Sequence, residues 1–332
     1  MHGPRQRIVM IGAVLCAIGS CRTLDALTWS DTAAHTARMV RVRDGTHLHV
    51  LDWGGTGPAV VLLGGLGSSA HTFDDLIPLL DRRFHYIAIT RRGTGESDRP
   101  AAGYDVATRV HDDLDVIAAL GVRQCVLIGH SIAGTEMTVI GTEHPEMVRG
   151  IVYLEAAYDR GARKAAVGPA PSLPTPVPLV HTYSELLAQL PHRATGLPPS
   201  LRNDLEVTQH GPDDELRPSP SLEVRQAMLA ADDSLHPDYS RIQAPVLGVF
   251  AFSVHHPSDD MLRISDSTRA VLDEWWQRTD WPYRQQQVDK LQHEAPHVTI
   301  LVLKPAEHLV YFSNTADVVR AINAFLSPLA HS

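Results

Sequence analysis

The chain has 332 residues, with 29 basic and 38 acidic side chains and a formal net charge of −9. That balance, with no long basic stretch, argues against nucleic acid as a partner. Three cysteines are too few for a disulfide framework, and the length suffices for one large domain plus a lid.

The N-terminus reads as an address. Arg5 and Arg7 precede an apolar run over residues 8–18, shorter than the roughly 20 residues that cross a bilayer. A basic start, a short apolar core and small residues after it are the layout of a secretory signal over residues 1–20. Ile18-Gly19-Ser20-Cys21 is similar to a bacterial lipobox. Cleavage before Cys21 implies export across the inner membrane, and lipidation of that cysteine implies membrane attachment. The other readings are an uncleaved anchor or a cytoplasmic start further on. Cys16 would leave with the signal and Cys125 opens a buried strand, so no intramolecular disulfide is expected.

Residues 59–63 form a continuous apolar run, the pattern of a parallel strand buried on both faces. The turn Gly64-Gly65-Leu66-Gly67-Ser68-Ser69 comes directly after it. It matches neither phosphate-binding glycine pattern, but it can offer a backbone N–H to an oxyanion, most simply that of Leu66. Residues 86–90 predict another strand, ending in Arg91-Arg92-Gly93-Thr94-Gly95-Glu96-Ser97-Asp98. Residues 106–120 predict an amphipathic helix on which Asp112 and Asp113 read as the solvated face.

The most informative stretch comes next. Val126-Leu127-Ile128 runs straight into Gly129-His130-Ser131-Ile132-Ala133-Gly134, and residues 135–140 read as helix. A serine at a sharp strand-to-helix turn is held in a strained backbone that exposes its hydroxyl, with the helix N-terminus and its N–H groups behind it. The Ile132 N–H is the second oxyanion donor. Small side chains at Gly129 and Ala133 let helix and strand approach.

Residues 150–158 predict a strand ending in Glu155. A carboxylate there needs a partner, because burial of an unpaired charge costs several kcal/mol. A histidine ring N–H would serve, and so would an arginine from a lid. Beyond Tyr158 the composition changes. Residues 167–178 are proline-dense and exclude helix and central strand, and short helices are predicted at 184–190 and 221–231. Residues 159–240 thus stand apart from the strand pattern on either side, as a lid of stiff loops and short helices or as a plain loop. A strand is predicted at 245–250, with a second insertion, 255–296, after it. This one carries Trp275, Trp276, Trp281 and Tyr283, as sheet packing or as a pocket wall. His255, His256, Asp259 and Asp260 lack the second spaced pair that a metal site needs. Residues 298–303 predict a last strand, and His308 lies just past its end, where open α/β sheets place their sites. A helix over 316–326 closes the chain.

Together, the G-G-L-G-S-S loop, the R-R-G-T-G-E-S-D turn, the G-H-S-I-A-G elbow and the A-E-H-L-V-Y-F-S-N histidine loop resemble the α/β-hydrolase family. The resemblance implies a mostly parallel, doubly wound sheet with an inserted, mainly helical cap, and a core of residues 36–158 and 241–332. It implies Ser131 as nucleophile and His308 as base. The family's first loop usually begins His-Gly, and Gly64 here removes a side chain that helps fix the oxyanion loop. The acid of many members comes after the strand at 245–250, where this chain has no carboxylate before Asp259 and Asp260. Some branches place it one strand earlier, at the position of Glu155, which is the favoured assignment.

The function expected is a serine hydrolase acting on a small or medium neutral ester or lactone through an acyl-enzyme, with Trp275 or Trp276 and the cap shaping the pocket. No cofactor or metal is implied. A perhydrolase or acyltransferase on the same triad, and a non-catalytic ligand binder, remain as alternatives. Dehalogenase and epoxide-hydrolase chemistry are disfavoured, since both need a carboxylate where Ser131 stands.

Overall fold

The computed structural model describes residues 30–169, 171–172, 179–190, 197–253 and 265–330. The sheet, its helices and the candidate site all belong to the unit Ala33–Ser332. The signal-like residues 1–20, Cys21, and the stretch holding His255, His256, Asp259 and Asp260 lie outside the described residues.

Eight strands form one sheet: β1 (Thr36–Arg41), β2 (His47–Gly54), β3 (Ala59–Leu63), β4 (His85–Ile89), β5 (Cys125–His130), β6 (Val148–Leu154), β7 (Val246–Ala251) and β8 (Val298–Leu303). Their spatial order is β1-β2-β4-β3-β5-β6-β7-β8. The pairs β1–β2 and β2–β4 are antiparallel, and from β4 to β8 every pair is parallel. Central strands bury both faces. Val61, Leu127 and Ile151 enter one core, while their neighbours Leu62, Ile128 and Val152 enter the other. That two-sided burial explains why these strands read as unbroken apolar runs. Strand β1 escaped the sequence reading because it is an exposed edge strand with a single buried residue, Val40, and β2 because His49 and Asp52 interrupt its buried run over residues 48–52.

The helices that cover the sheet begin with α1 (Val106–Ala119) and α2 (Ala133–Glu143). Asp105 caps α1 by accepting from Thr108 N–H, which fixes its start. Asp112 and Asp113 correct the sequence reading, for both are buried. Arg92 reaches α1 from the turn after β4 and binds Asp112 through Nε at 2.5 Å and Nη2 at 2.6 Å. Helical periodicity sees only the helix, and the partner that permits burial comes from another element.

Between β6 and β7 stand α3 (Arg160–Val167), α4 (Tyr183–Gln189), α5 (Pro199–Gln209) and α6 (Leu222–Asp232). The predicted helices match α4 and α6 to within a residue; α3 and α5 were not anticipated. Helix α4 starts at a capping box in which Thr182 and Glu185 satisfy each other's backbone. Helix α5 docks on the short 3-10 turn Ala70–Phe73 just beyond the glycine loop. Ser69 donates its N–H and its hydroxyl to Asp204 Oδ1 at 2.6 and 2.7 Å, Asn203 donates to Asp74, and Ser200 donates twice to Asp75. Most of the second insertion is one long helix, α7 (Asp266–Glu294), capped by Ser265. Two final helices, α8 (Val310–Ser313) and α9 (Thr315–Leu326), come after β8. Among the described residues no helix is long and apolar enough to cross a membrane.

Candidate active site

Parallel register brings the first two site residues together. His130 on β5 lies opposite Leu154 on β6, so Ser131 and Glu155 are the next residues of adjacent strands. Both leave the sheet in the left-handed region, at φ 55° and 52°, a conformation that costs an L-residue about 1–3 kcal/mol. Two hydrogen bonds hold these turns, from Ser131 N–H to the Leu154 carbonyl at 3.2 Å and from Glu155 N–H to the Val249 carbonyl at 2.8 Å.

The elbow is tight. A Cβ on Gly134 would fall 1.8 Å from the Ala156 carbonyl oxygen, so α2 can only approach the turn after β6 through a glycine. The elbow thus needs a glycine at 134 in addition to the small residue at 133. Ala133 in turn stands against Gly129, where an added Cβ would lie 2.9 Å from its own.

His308 arrives from the loop after β8. Its Nε2 lies 3.0 Å from Ser131 Oγ and its Nδ1 lies 3.2 Å from Glu155 Oε2. Glu155 is fully buried and accepts also from the Ala251 N–H at 2.6 Å, from the Tyr158 hydroxyl and from the Arg284 guanidinium. Burial works to raise its pKa, but Arg284, His308 and the Ala251 N–H outweigh burial and hold it at about 2. The carboxylate is therefore ionised and pointed at the imidazole.

Leu66 and Ile132 flank Ser131 from the glycine loop and the start of α2, and among the described residues no backbone carbonyl takes either N–H. The loop is held although Gly64 carries no side chain. Arg91, from the turn after β4, donates to the Gly64 carbonyl through both terminal nitrogens at 3.0 Å and to the Gly65 carbonyl at 3.3 Å. Its other edge grips Glu136 of α2 at 2.6 Å twice. Arg91 thus ties the loop to the helix behind the elbow. His130 completes the frame. Burial, with His308 nearby, pushes its pKa well below the usual histidine value, and the neutral ring donates from Nε2 to the His308 carbonyl at 2.9 Å.

Two cavities meet at Ser131 and His308. One, about 190 Å³, is lined by Tyr158, Trp276 and three arginines, Arg160, Arg163 and Arg284. The other, about 310 Å³, is lined by Leu66, Leu201, Leu205, Leu309 and Arg225 among others. Trp276 is buried and stacks near Arg284, whose guanidinium carbon is 4.9 Å from the ring centre. Trp275 does not line either cavity. The expectation of a neutral substrate held by tryptophan and the cap did not foresee this charge: the arginines are scattered along the sequence and only the fold gathers them.

Among the described residues outside this site, His35, His71 and Asp74 place ligand-type atoms within 4.8 Å of one another. Asp74 already engages both rings, at 3.3 Å and 3.0 Å.

Residues 60–321 match the model of the alpha/beta hydrolase family. The chain belongs to that family. A curated relative, the 2-(acetamidomethylene)succinate hydrolase of Mesorhizobium japonicum, is 29% identical over 58% of this chain and 70% of its own length. The human serine hydrolase-like protein is 35% identical over 33% of this chain and 55% of its own. Among solved structures, an E-2-(acetamidomethylene)succinate hydrolase superposes with a TM-score of 0.61 at 23% identity, covering 88% of this chain and 99% of that one. This last likeness shows the shared fold.

Proposed function

We propose that this family member is a serine hydrolase that cleaves a small ester or lactone through an acyl-enzyme. The observation that carries the reading is the unbroken line from Ser131 Oγ to His308 Nε2 at 3.0 Å and from His308 Nδ1 to Glu155 Oε2 at 3.2 Å. Ser131 Oγ attacks the carbonyl carbon as His308 Nε2 takes its proton. Glu155 keeps the ring oriented and stabilises the imidazolium. The N–H groups of Leu66 and Ile132 receive the oxyanion, and His308 returns the proton to the departing alcohol. Water then repeats the sequence and frees the acid. Residues 159–240, as a cap over the site, keep other water out. The relative in Mesorhizobium japonicum, named as a hydrolase, supports the reaction class.

The test is a fluorophosphonate probe with p-nitrophenyl esters as substrates. Ser131 should be labelled, and Ser131→Ala should lose both labelling and turnover while melting as wild type does. An inert Ser131 in folded protein would turn the reading towards ligand binding.

A further inference from the structure

Three guanidinium groups line the smaller cavity at Ser131 and, among the described residues, no carboxylate does. Two of the three are answered behind the wall. Arg163 donates twice to Asp280 Oδ1, at 3.2 and 2.8 Å. Arg284 is held by Asp280 and Glu155 together. Arg160 is different. Its Nη2 stands 3.4 Å from Ser131 Oγ, and Asp232, the carboxylate it meets, lies 3.9 Å from Nε. Asp232 is already taken by Arg109 and by the Thr135 hydroxyl.

Followed inward, the charges alternate. Arg91 pairs with Glu136, Glu136 faces Arg109 at 3.3 Å, Arg109 binds Asp232, and Asp232 faces Arg160. That is three cations against two anions. Asp113 is the remaining carboxyl beside the line; burial and the neighbouring Glu136 push its pKa well upwards. The line ends at the nucleophile in Arg160, a guanidinium with no close carboxylate of its own.

We propose that Arg160 binds a carboxylate of the substrate, which is a short acyl compound with a free carboxylate close to the scissile carbonyl. The proposal rests on the serine-hydrolase reading and names its substrate class. A carboxylate on that guanidinium would sit about 2.8 Å from its nitrogens. With Nη2 at 3.4 Å from Oγ, the bound carboxylate and the carbonyl that Ser131 attacks are close neighbours, so a short chain such as a succinyl or glutaryl one can join them. A neutral isostere would leave a desolvated cation unanswered, so the site would reject it as well as prefer the acid.

Monomethyl glutarate and dimethyl glutarate differ only in whether the second carboxyl is free. With full-length protein in a pH-stat, kcat/KM should favour the monomethyl ester by a factor on the order of 10². Arg160→Met should bring that ratio close to one, mainly by raising KM for the acid. Arg160→Lys, which keeps the charge and the packing but not the fork, should retain part of it. In calorimetry, glutarate should bind the Ser131→Ala protein and fail to bind once Arg160→Met is added; if that variant does not fold, Arg160→Lys decides by weakened binding. Hydrolysis of both esters with no preference for the acid, or a preference indifferent to Arg160, overturns this inference and leaves the hydrolase reading standing. No turnover and no fluorophosphonate labelling overturns the hydrolase reading instead, while glutarate binding still decides the role of Arg160.

Discussion

One carboxylate oxygen, Glu155 Oε2, is shared between His308, whose Nδ1 lies 3.2 Å away, and Arg284. The two sequence readings of Glu155, partner to an imidazole or to an arginine, are both realised, though the arginine comes from α7 and not from residues 159–240. Arg284 steadies the carboxylate and also takes part of its field. The imidazolium formed at His308 is therefore less fully compensated than it would be by a carboxylate without an arginine.

Glu155→Gln should lower kcat by a factor on the order of 10³–10⁴, as loss of a triad carboxylate does. The comparison is steady-state turnover of one ester by both proteins, with circular dichroism to establish that the variant is folded. If Asp259→Asn or Asp260→Asn is the crippling change and Glu155→Gln is mild, the acid has been misassigned.

Arg284→Met should move acid unfolding to higher pH. With Arg284 present, the Glu155 pKa lies at about 2, below its ordinary value of 4.5. Its stabilising contribution is thus complete above pH 4.5 and fades as the pH falls from there towards 2. Removing the guanidinium leaves a buried charge with fewer partners, a loss of about 3–5 kcal/mol at neutral pH. Urea melts at pH 7 and pH 3.5 would measure both effects. An unchanged acid midpoint would mean that Glu155 does not depend on Arg284.

Gly134→Ala should destabilise by about 1–3 kcal/mol or more, since overpacking is expensive and the clash here is with backbone. Ala133→Gly should cost about 1–2 kcal/mol, from the helix-propensity difference and the loss of one buried methyl group. Thermal melts of the two single variants would rank them. The reverse order would contradict the close approach of α2 to Ala156.

Arg91→Lys should lower kcat by a factor on the order of 10–10² with little change in KM. Lysine can answer Glu136, but it cannot bridge that carboxylate and two carbonyl groups at once. Single-turnover acylation is the readout, and an acylation rate equal to wild type would remove Arg91 from the support of the oxyanion loop.

The lipobox reading of residues 18–21 predicts a mature protein that begins at lipidated Cys21. Mass spectrometry of membrane-extracted protein should find a diacylglyceryl mass on the N-terminal peptide, and Cys21→Ala should abolish it. Soluble protein retaining Met1 would refute both export and anchoring.

Strands β3 to β7 and the positions of Ser131, Glu155 and His308 were legible because buried parallel strands are apolar runs and a site sits where such runs end; β8 is an edge strand with only Leu303 buried, but its sequence is still an apolar run. What stayed hidden depends on partners that are distant in sequence. Asp112 and Asp113 look solvated until Arg92 crosses 20 positions to bury one of them. Arg91 reads as part of a glycine turn, and its hold on Gly64 and Gly65 emerges only when β3 and β4 lie side by side. Arg160, Arg163 and Arg284 are spread over two insertions, and no local pattern announces that they share one cavity with Ser131. Edge strand β1, with one buried residue, carries almost no periodic signal.

Helix α5 is fastened to the turn after the glycine loop at three successive points, Ser69 to Asp204, Asp74 to Asn203, and Asp75 to Ser200. Any displacement of that helix would pull on Ser69, which stands in the same glycine loop as Leu66. An engineer who replaced this segment to alter selectivity would disturb the footing of that loop unless the three contacts were grafted with it.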